Sequence, residues 1–266
     1  MSRGRGDVNK IQDDKKLTHV LYKDKEEKIQ EVKADYILSS MPVKDLVSAL
    51  PEDWVSKEAA QVAHDLPYRD FMTAGLLVDR LELSNHTHHK TLNHIIPDCW
   101  IYIQEPEVKI GRLQVFNNWS PYLVKDPLHT VWIGLEYFCQ EGDSLWSMDD
   151  SDFLAFAEKE LQKIHVIRPG AVKEGHVVRM QKAYPAYYGS YKEFPLLQKE
   201  LDTIPNLYCI GRNGQHRYNN MDHSMLTAIR AVELIQNQST DKSSLWNVNT
   251  ESDYQEIKEE DRNSEK

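Results

Sequence analysis

Apolar residues in this chain recur with two different periods, and each change of period marks an element. Weak alternation at 17–22 predicts a strand, a charged turn follows at 23–27, and 28–40 predicts a second strand that becomes fully buried at Tyr36, Ile37 and Leu38. Pro42 breaks that run. Val43, Leu46, Val47 and Leu50 then share one helical face up to Pro51, and 54–64 reads as helix before a second break at Pro67. FMTAGLLV at 71–78 is an apolar strand. Further strands rich in aromatic and β-branched residues are predicted at 100–104, 112–117 and 130–139. Strands joined in this way, through loops carrying Pro106, Gly111, Pro121 and Pro127, point to an antiparallel or mixed sheet. Asp149, Asp150 or Ser151 caps a helix to residue 164 whose core face is Phe153, Phe156, Ala157, Leu161 and Ile164. A strand at 172–180 and a short helix or turn at 195–203 follow.

The most informative stretch is 206–235, NLYCIGRNGQHRYNNMDHSMLTAIRAVELI. Leu207 to Ile210 is an apolar run of buried-strand length, and Gly211 ends it, where a residue without a Cβ turns the chain at least cost. A helix begins near Asn220, a favoured N-cap, and Met225, Ala228, Ile229 and Val232 recur at helical spacing as its expected core face. The start of that helix presents free backbone N–H groups above the Gly211 turn, an arrangement that favours phosphate or a polarised oxygen. An ordinary strand–helix joint has the same spacing, so spacing alone does not assign a ligand.

Composition narrows the classes. The chain has 266 residues, enough for one large domain or two modest ones, with 28% charged and 40% hydrophobic residues. A formal charge of −10 argues against nucleic-acid binding. No run approaches the ~20 apolar residues of a membrane span, and the first 16 residues have no secretory apolar stretch. Cys99, Cys139 and Cys209 lack metal-like spacing and sit in apolar or aromatic surroundings, as buried thiols do. An odd count of this kind implies a reducing, cytoplasmic setting. His86, His88, His89 and His94 cluster in a polar loop, but no Cys or carboxylate completes a tetrahedral set, so no metal is assigned. Asn117 to Tyr122 reads as a packed polar–aromatic turn, with a pocket wall as the other reading. Tyr184, Tyr187, Tyr188 and Tyr191 could stack on a planar ligand or pack as linker residues.

The string Gly211-Arg212-x-Gly214-x-x-Arg217-Tyr218-x-x-Met221-Asp222 resembles the C-terminal flavin-binding segment of FAD-dependent amine oxidase-like and protoporphyrinogen oxidase-like proteins. It is especially similar to the corresponding segment of UDP-galactopyranose mutases. The run from Ala34 to Pro42 is similar to a strand that follows a β hairpin in the FAD domain of the same class. The resemblance extends over 35–235. It implies an α/β fold: part of a Rossmann-like FAD-binding domain at 17–66 and 183–238, a mixed-sheet α+β substrate domain inserted at 67–182, and disordered ends at 1–16 and 239–266. It implies FAD-binding roles for Gly211, Arg212, Asn220, Met221 and Asp222. It raises Tyr184 and Tyr187, with Arg217 and Tyr218, as residues facing a small-molecule substrate. It names no catalytic base.

Relatives of this class open with a strand and a GxGxxG turn that receives the FAD pyrophosphate, and this sequence has no GxGxxG. The resemblance therefore implies the C-terminal two-thirds of such a protein, with an N-terminal half or a partner chain supplying the rest. The activity it implies is an FAD-dependent oxidoreduction of the amine oxidase-like class. A mutase-like isomerisation of a nucleotide sugar, or a non-catalytic remnant that binds a partner, are the alternatives.

Overall fold

The computed structural model describes residues 6–10, by their backbone, and 15–249. The chain divides into two compact units, Met1–Tyr68 with Tyr184–Lys266, and Arg69–Ala183. The first unit opens with an antiparallel meander, β1 (Gly6–Lys10), β2 (Leu17–Lys23) and β3 (Ile29–Lys33), in that order. β1 is a correction, because composition predicts no order there. Backbone pairing to β2, Gly6 opposite Tyr22 and Val8 opposite Val20, needs no apolar side chain. β4 (Ile37–Ser39), α1 (Val43–Ala49) and α2 (Lys57–Asp65) follow. Ser56 caps α2, its hydroxyl accepting from the Ala59 N–H at 3.1 Å.

The second unit is built on one five-stranded sheet, covered by a long helix, Asp150–Lys163. β5 (Tyr68–Val78), β6 (Trp100–Tyr102), β7 (Arg112–Val115), α3 (Phe116–Trp119), β8 (Val131–Cys139), α4 (Asp150–Lys163) and β9 (Val172–Pro185) give the sheet order β6-β7-β8-β5-β9. The β5–β8, β6–β7 and β7–β8 pairs are antiparallel. Met72, Ala74 and Leu76 of β5 and Ile133, Leu135 and Tyr137 of β8 alternate onto one face, where Phe153, Ala157 and Leu161 of α4 cover them. The Asp70 carboxylate ties β9 and the turn after β8 to β5, accepting from the backbone N–H of Lys182 at 2.7 Å and of Glu141 at 2.9 Å.

The chain returns to the first unit through α5 (Phe194–Asp202), β10 (Leu207–Cys209), α6 (Gly211–Gly214), α7 (Met221–Gln236) and α8 (Ser243–Trp246). β10 pairs in parallel with β4, Leu207 opposite Ile37 and Cys209 opposite Ser39. Leu207 and Cys209 face α1, α2 and α5, whereas Tyr208 faces Ala231, Leu234 and Leu245. Asn206 sets the start of this pair. Its buried amide donates to the carbonyls of Leu17 and Asp35 at 2.6 and 2.8 Å, and its Oδ1 accepts from the Leu17 N–H.

Three further expectations change. Tyr36 and Leu38 are exposed, because only the Ile37 side of β4 meets the apolar core. The expected core face of α7 is also exposed: Met225, Ile229 and Val232 point outward, Ala228 is partly buried, and Thr227, Ala231 and Leu234 are the buried residues. The polar stretch after residue 236 folds as far as it is described. Leu245, Trp246 and Val248 are buried, and the Lys242 ammonium donates inward to the carbonyls of Ile204 and Leu207 at 2.7 and 2.8 Å. The remainder of that stretch lies outside the described residues. Leu245→Ala is expected to lower the unfolding free energy by about 2–5 kcal/mol, as for other fully buried leucines, measured by urea denaturation. An unchanged midpoint would show that this segment is not part of the folded core.

Candidate functional site

The site is built at the carboxyl end of β10, all of it within the first unit. Gly211 has φ +72°, in the left-handed region, so the turn needs glycine for its backbone rather than for space. A Cβ added there would meet nothing nearer than the Ser40 Cβ at 4.0 Å. Gly214 is the sterically required one: an added Cβ would lie 2.4 Å from the Ser39 carbonyl oxygen. The Gly211 N–H donates to the Thr227 hydroxyl at 2.8 Å, which itself donates to the Ser224 carbonyl. This bond fastens α7 to the turn. Thr227 is missed by sequence reasoning because a lone threonine among apolar helix positions looks like a neutral substitution.

Asn220 caps α7 and forms a capping box with His223. Met221 and Asp222 stand exposed in its first turn. The first turn thus carries a side-chain cap and one carboxylate, Asp222, 3.6 Å from His223 Nδ1.

The Arg212 guanidinium lies 4.6 Å from the Tyr218 ring centroid and 5.2 Å from that of Tyr184. The two rings are stacked on each other at 5.5 Å, and Arg212 Nε donates to the Asn219 carbonyl at 2.9 Å. Such cation–π pairs hold a guanidinium in place while it keeps its charge. The Tyr187 hydroxyl accepts from the Tyr218 backbone N–H at 2.5 Å. Of the residues expected to face a substrate, Tyr184, Tyr187 and Tyr218 thus gather around Arg212. Arg217 does not join them. Its Nη1 donates to the carbonyls of Trp246 and Val248 at 2.5 and 2.9 Å, so it anchors the segment after α7.

Below the loop lies His216, fully buried against the rings of Tyr68, Tyr191 and Phe194. Its Nε2 donates to the Ala186 carbonyl at 3.1 Å, which leaves Nδ1 as the bare nitrogen, buried without a hydrogen bond. Burial lowers its pKa to about 4. Ser39 Oγ and Asn213 Oδ1 are two more buried polar atoms beside the turn without a hydrogen-bond partner among the described residues.

The second unit holds a separate buried pair. Arg112 Nε lies 2.8 Å from a Glu136 carboxylate oxygen, with Gln114 donating to the other, and the guanidinium sits among the rings of Trp100, Tyr102 and Phe138. Asn117 and Asn118 spend their side chains on backbone groups: Asn117 on Thr130 and Trp132, Asn118 on Ile96 and Asp98. The Cys139 and Cys209 thiols are buried, and burial raises them to about 11 and about 12. Among the described residues no helix is long and apolar enough to cross a membrane.

Compared as a sequence, the chain matches no protein-family model and no curated protein. Compared as a structure, it is similar to reduced UDP-galactopyranose mutase, with a TM-score of 0.66 at 18% identity over 86% of this chain and 47% of that one. It is also similar to a putative protoporphyrinogen oxidase from Exiguobacterium sp. 255-15, with a TM-score of 0.53 at 17% identity over 82% of this chain and 45% of that one. These likenesses show the fold. The α/β class expected from the sequence, with parallel and antiparallel sheets, is the class observed, and the chain spans just under half the length of each neighbour.

The buried His216 gives a signed pH dependence. Its folded pKa lies below the unfolded value of about 6.5, so the unfolded state takes up a proton first as pH falls. Its contribution to stability is complete above about pH 6.5 and is lost progressively as pH falls towards 4, by up to roughly 3 kcal/mol. Urea midpoints of the wild type measured from pH 7.5 to 4.5 should show this slope, and His216→Gln should flatten it. Equal slopes in the two proteins would contradict the assignment.

Proposed function

We propose that the first unit holds the isoalloxazine end of FAD and that the chain serves as part of a flavin-dependent enzyme. The observation that carries this reading is the left-handed Gly211 turn, tied by Thr227 to a capped helix N-terminus, with Arg212 held against a stacked pair of tyrosines beside it. The likeness in fold to two enzymes whose names belong to flavin chemistry supports it, as does the GRxGxxRYxxMD string. The residues present fit the group. Ser39 Oγ and Asn213 Oδ1 are unused polar atoms at the turn, and a Cβ added at Gly211 would meet nothing nearer than the Ser40 Cβ at 4.0 Å. Gly211 and Arg212 would hold the ring, with Asn220, Met221 and Asp222 along the ribityl side. When bound, a flavin supplies redox or nucleophilic chemistry at its ring, and the protein orients the substrate and shapes the charge around it.

Arg212 bears on the substrate. A guanidinium fixed on Tyr184 and Tyr218 favours an anionic substrate such as a diphosphate and disfavours an amine, whose ammonium it would repel. Within the proposal this places a mutase-like isomerisation of a nucleotide sugar ahead of an amine oxidase-like oxidation. Tyr187 contributes by fixing the Tyr218 backbone and hence the stack.

In the described residues the ring end of the site is built by the Gly211 turn. Pyrophosphate contacts made elsewhere would add several charge-assisted bonds of about 1.5–3 kcal/mol each. The chain by itself should therefore bind flavin weakly, with a Kd in roughly the 0.1–1 mM range, and should bind riboflavin and FAD alike. Ligand-observed NMR with riboflavin, FAD and, as a control, NAD measures this. Arg212→Gln should weaken both flavins several-fold. Gly211→Val should abolish binding, and its left-handed backbone adds a stability loss of about 1–2 kcal/mol. Absence of saturable riboflavin binding by the wild type would refute the flavin reading, whereas FAD far tighter than riboflavin would show that this chain also holds the pyrophosphate.

A further inference from the structure

No helix or strand spans residues 215–220, yet this stretch carries Tyr218 and holds Arg212 through the Asn219 carbonyl. What fixes it comes from residues 245–249. Asn249 Nδ2 donates to the Tyr218 carbonyl at 2.9 Å and to Asn219 Oδ1 at 3.1 Å. Asn219 Nδ2 donates in turn to Gln215 Oε1 at 3.3 Å, and Gln215 Nε2 donates to the carbonyls of Leu245 at 2.9 Å and Cys209 at 3.2 Å. Gln215 and Asn219 are 1 and 2% exposed, so a bond that either loses leaves a polar group buried and unsatisfied. Side-chain amides thus join the end of β10, the loop and the segment after α7 in one network.

Two features separate a positioning role from simple burial of Leu245 and Trp246. Gln215 and Arg217 already hold that segment by the carbonyls of Leu245, Trp246 and Val248. Asn249 works in the opposite direction, spending its own side chain on the loop. It does so from φ +56°, in the left-handed region, which asparagine adopts more readily than most non-glycine residues. The second feature is Tyr218 itself, whose two backbone groups are both taken by side chains. Its N–H donates to the Tyr187 hydroxyl and its carbonyl accepts from Asn249. A ring on a backbone held from both sides is presented in one place, here stacked on Tyr184 at 5.5 Å and 4.6 Å from the Arg212 guanidinium. We propose that residues 245–249 are a strap and that Asn249 is a positioning residue for the Arg212–Tyr218 pair, acting through the Tyr218 carbonyl and the Asn219 amide. The strap thereby sets where the guanidinium stands and how strongly it holds an anionic ligand group. The effect on a ligand rests on the reading of Arg212 as part of a flavin-enzyme site, whereas the strap's hold on the loop does not.

The test uses the whole chain and Asn249→Gly, which removes the amide without adding strain at a left-handed position. Hydrogen exchange followed by mass spectrometry reads the loop with no ligand present. Amides at 217–219 should exchange about tenfold faster than in the wild type, while those of β10 and the middle of α7 change by less than about twofold and the urea midpoint does not move. Calorimetric titration with pyrophosphate reads the site. Its Kd should rise about fivefold in Asn249→Gly, and adding Asn249→Gly to Arg212→Gln should have little further effect, because the strap acts through Arg212. Unchanged exchange at 217–219, or an equal effect on Kd with and without Arg212→Gln, would overturn the proposal. So would a lowered urea midpoint with exchange raised throughout the unit, which is the signature of general loosening. Faster exchange at 217–219 together with no saturable pyrophosphate binding by the wild type would uphold the strap's hold on the loop and count against an anionic ligand at Arg212.

Discussion

The close approach of Gly214 to the Ser39 carbonyl is the contact on which the site depends. With 2.4 Å between that oxygen and the place a Cβ would occupy, no other residue lets α6 lie so near the end of β4. That approach brings the turn after β10 over the end of its neighbour. Everything above follows from it: the left-handed Gly211, the N–H bond to Thr227, and the direction in which α7 starts. Asn206 does the corresponding work at the other end of the strand, where one amide fixes Leu17, Asp35 and the first parallel pair. The strand between them is three residues long, so its register is set by its two ends more than by its own ladder.

Charge is placed unevenly in the loop that follows. Arg212 and Arg217 are five residues apart, and both looked available for an anion. The structure separates them by what surrounds each. Arg217 gives its Nη1 to two backbone carbonyls, which satisfies those buried acceptors and ties down the segment that carries Leu245 and Trp246. Arg212 lies against the ring faces of Tyr184 and Tyr218 and gives its Nε to the Asn219 carbonyl within its own loop. His216, neutral and bare at Nδ1, adds no charge below them.

Local signals carried much of this in the sequence. The apolar run at 207–210, the glycine after it and the Asn220 cap are legible because each depends on one residue's own preference, and β10, the positive-φ Gly211 and the start of α7 stand where those preferences put them. The strand and helix pattern of 71–78, 130–139 and 149–164 is legible for the same reason. What escaped reading depended on partners distant in the chain. Polar 6–10 becomes a strand through backbone pairing with β2. Residues 242–248 look solvated, yet Lys242 finds two carbonyls of another segment and Arg217 reaches across to hold the end. Thr227 reads as a substitution in an apolar helix until the Gly211 N–H is placed beside it.

The reversal of α7 has a different origin. Periodicity reports that a face is apolar, but not which layer that face will meet, and a helix with two apolar faces offers two candidates of equal rank. The longer side chains, Met225, Ile229 and Val232, dominate the pattern and so point to the core. The face that packs is the one with the smaller residues, Thr227 and Ala231. Small residues let the helix come close to Tyr208, and only from that distance can the Thr227 hydroxyl reach the Gly211 N–H. Swapping the faces would place Met225 and Ile229 against Tyr208, push the helix axis outward and break that bond. Geometry at the turn therefore decides which apolar side of α7 is inner. The larger apolar side is left facing outward as a consequence, with the open face of β4 beside it.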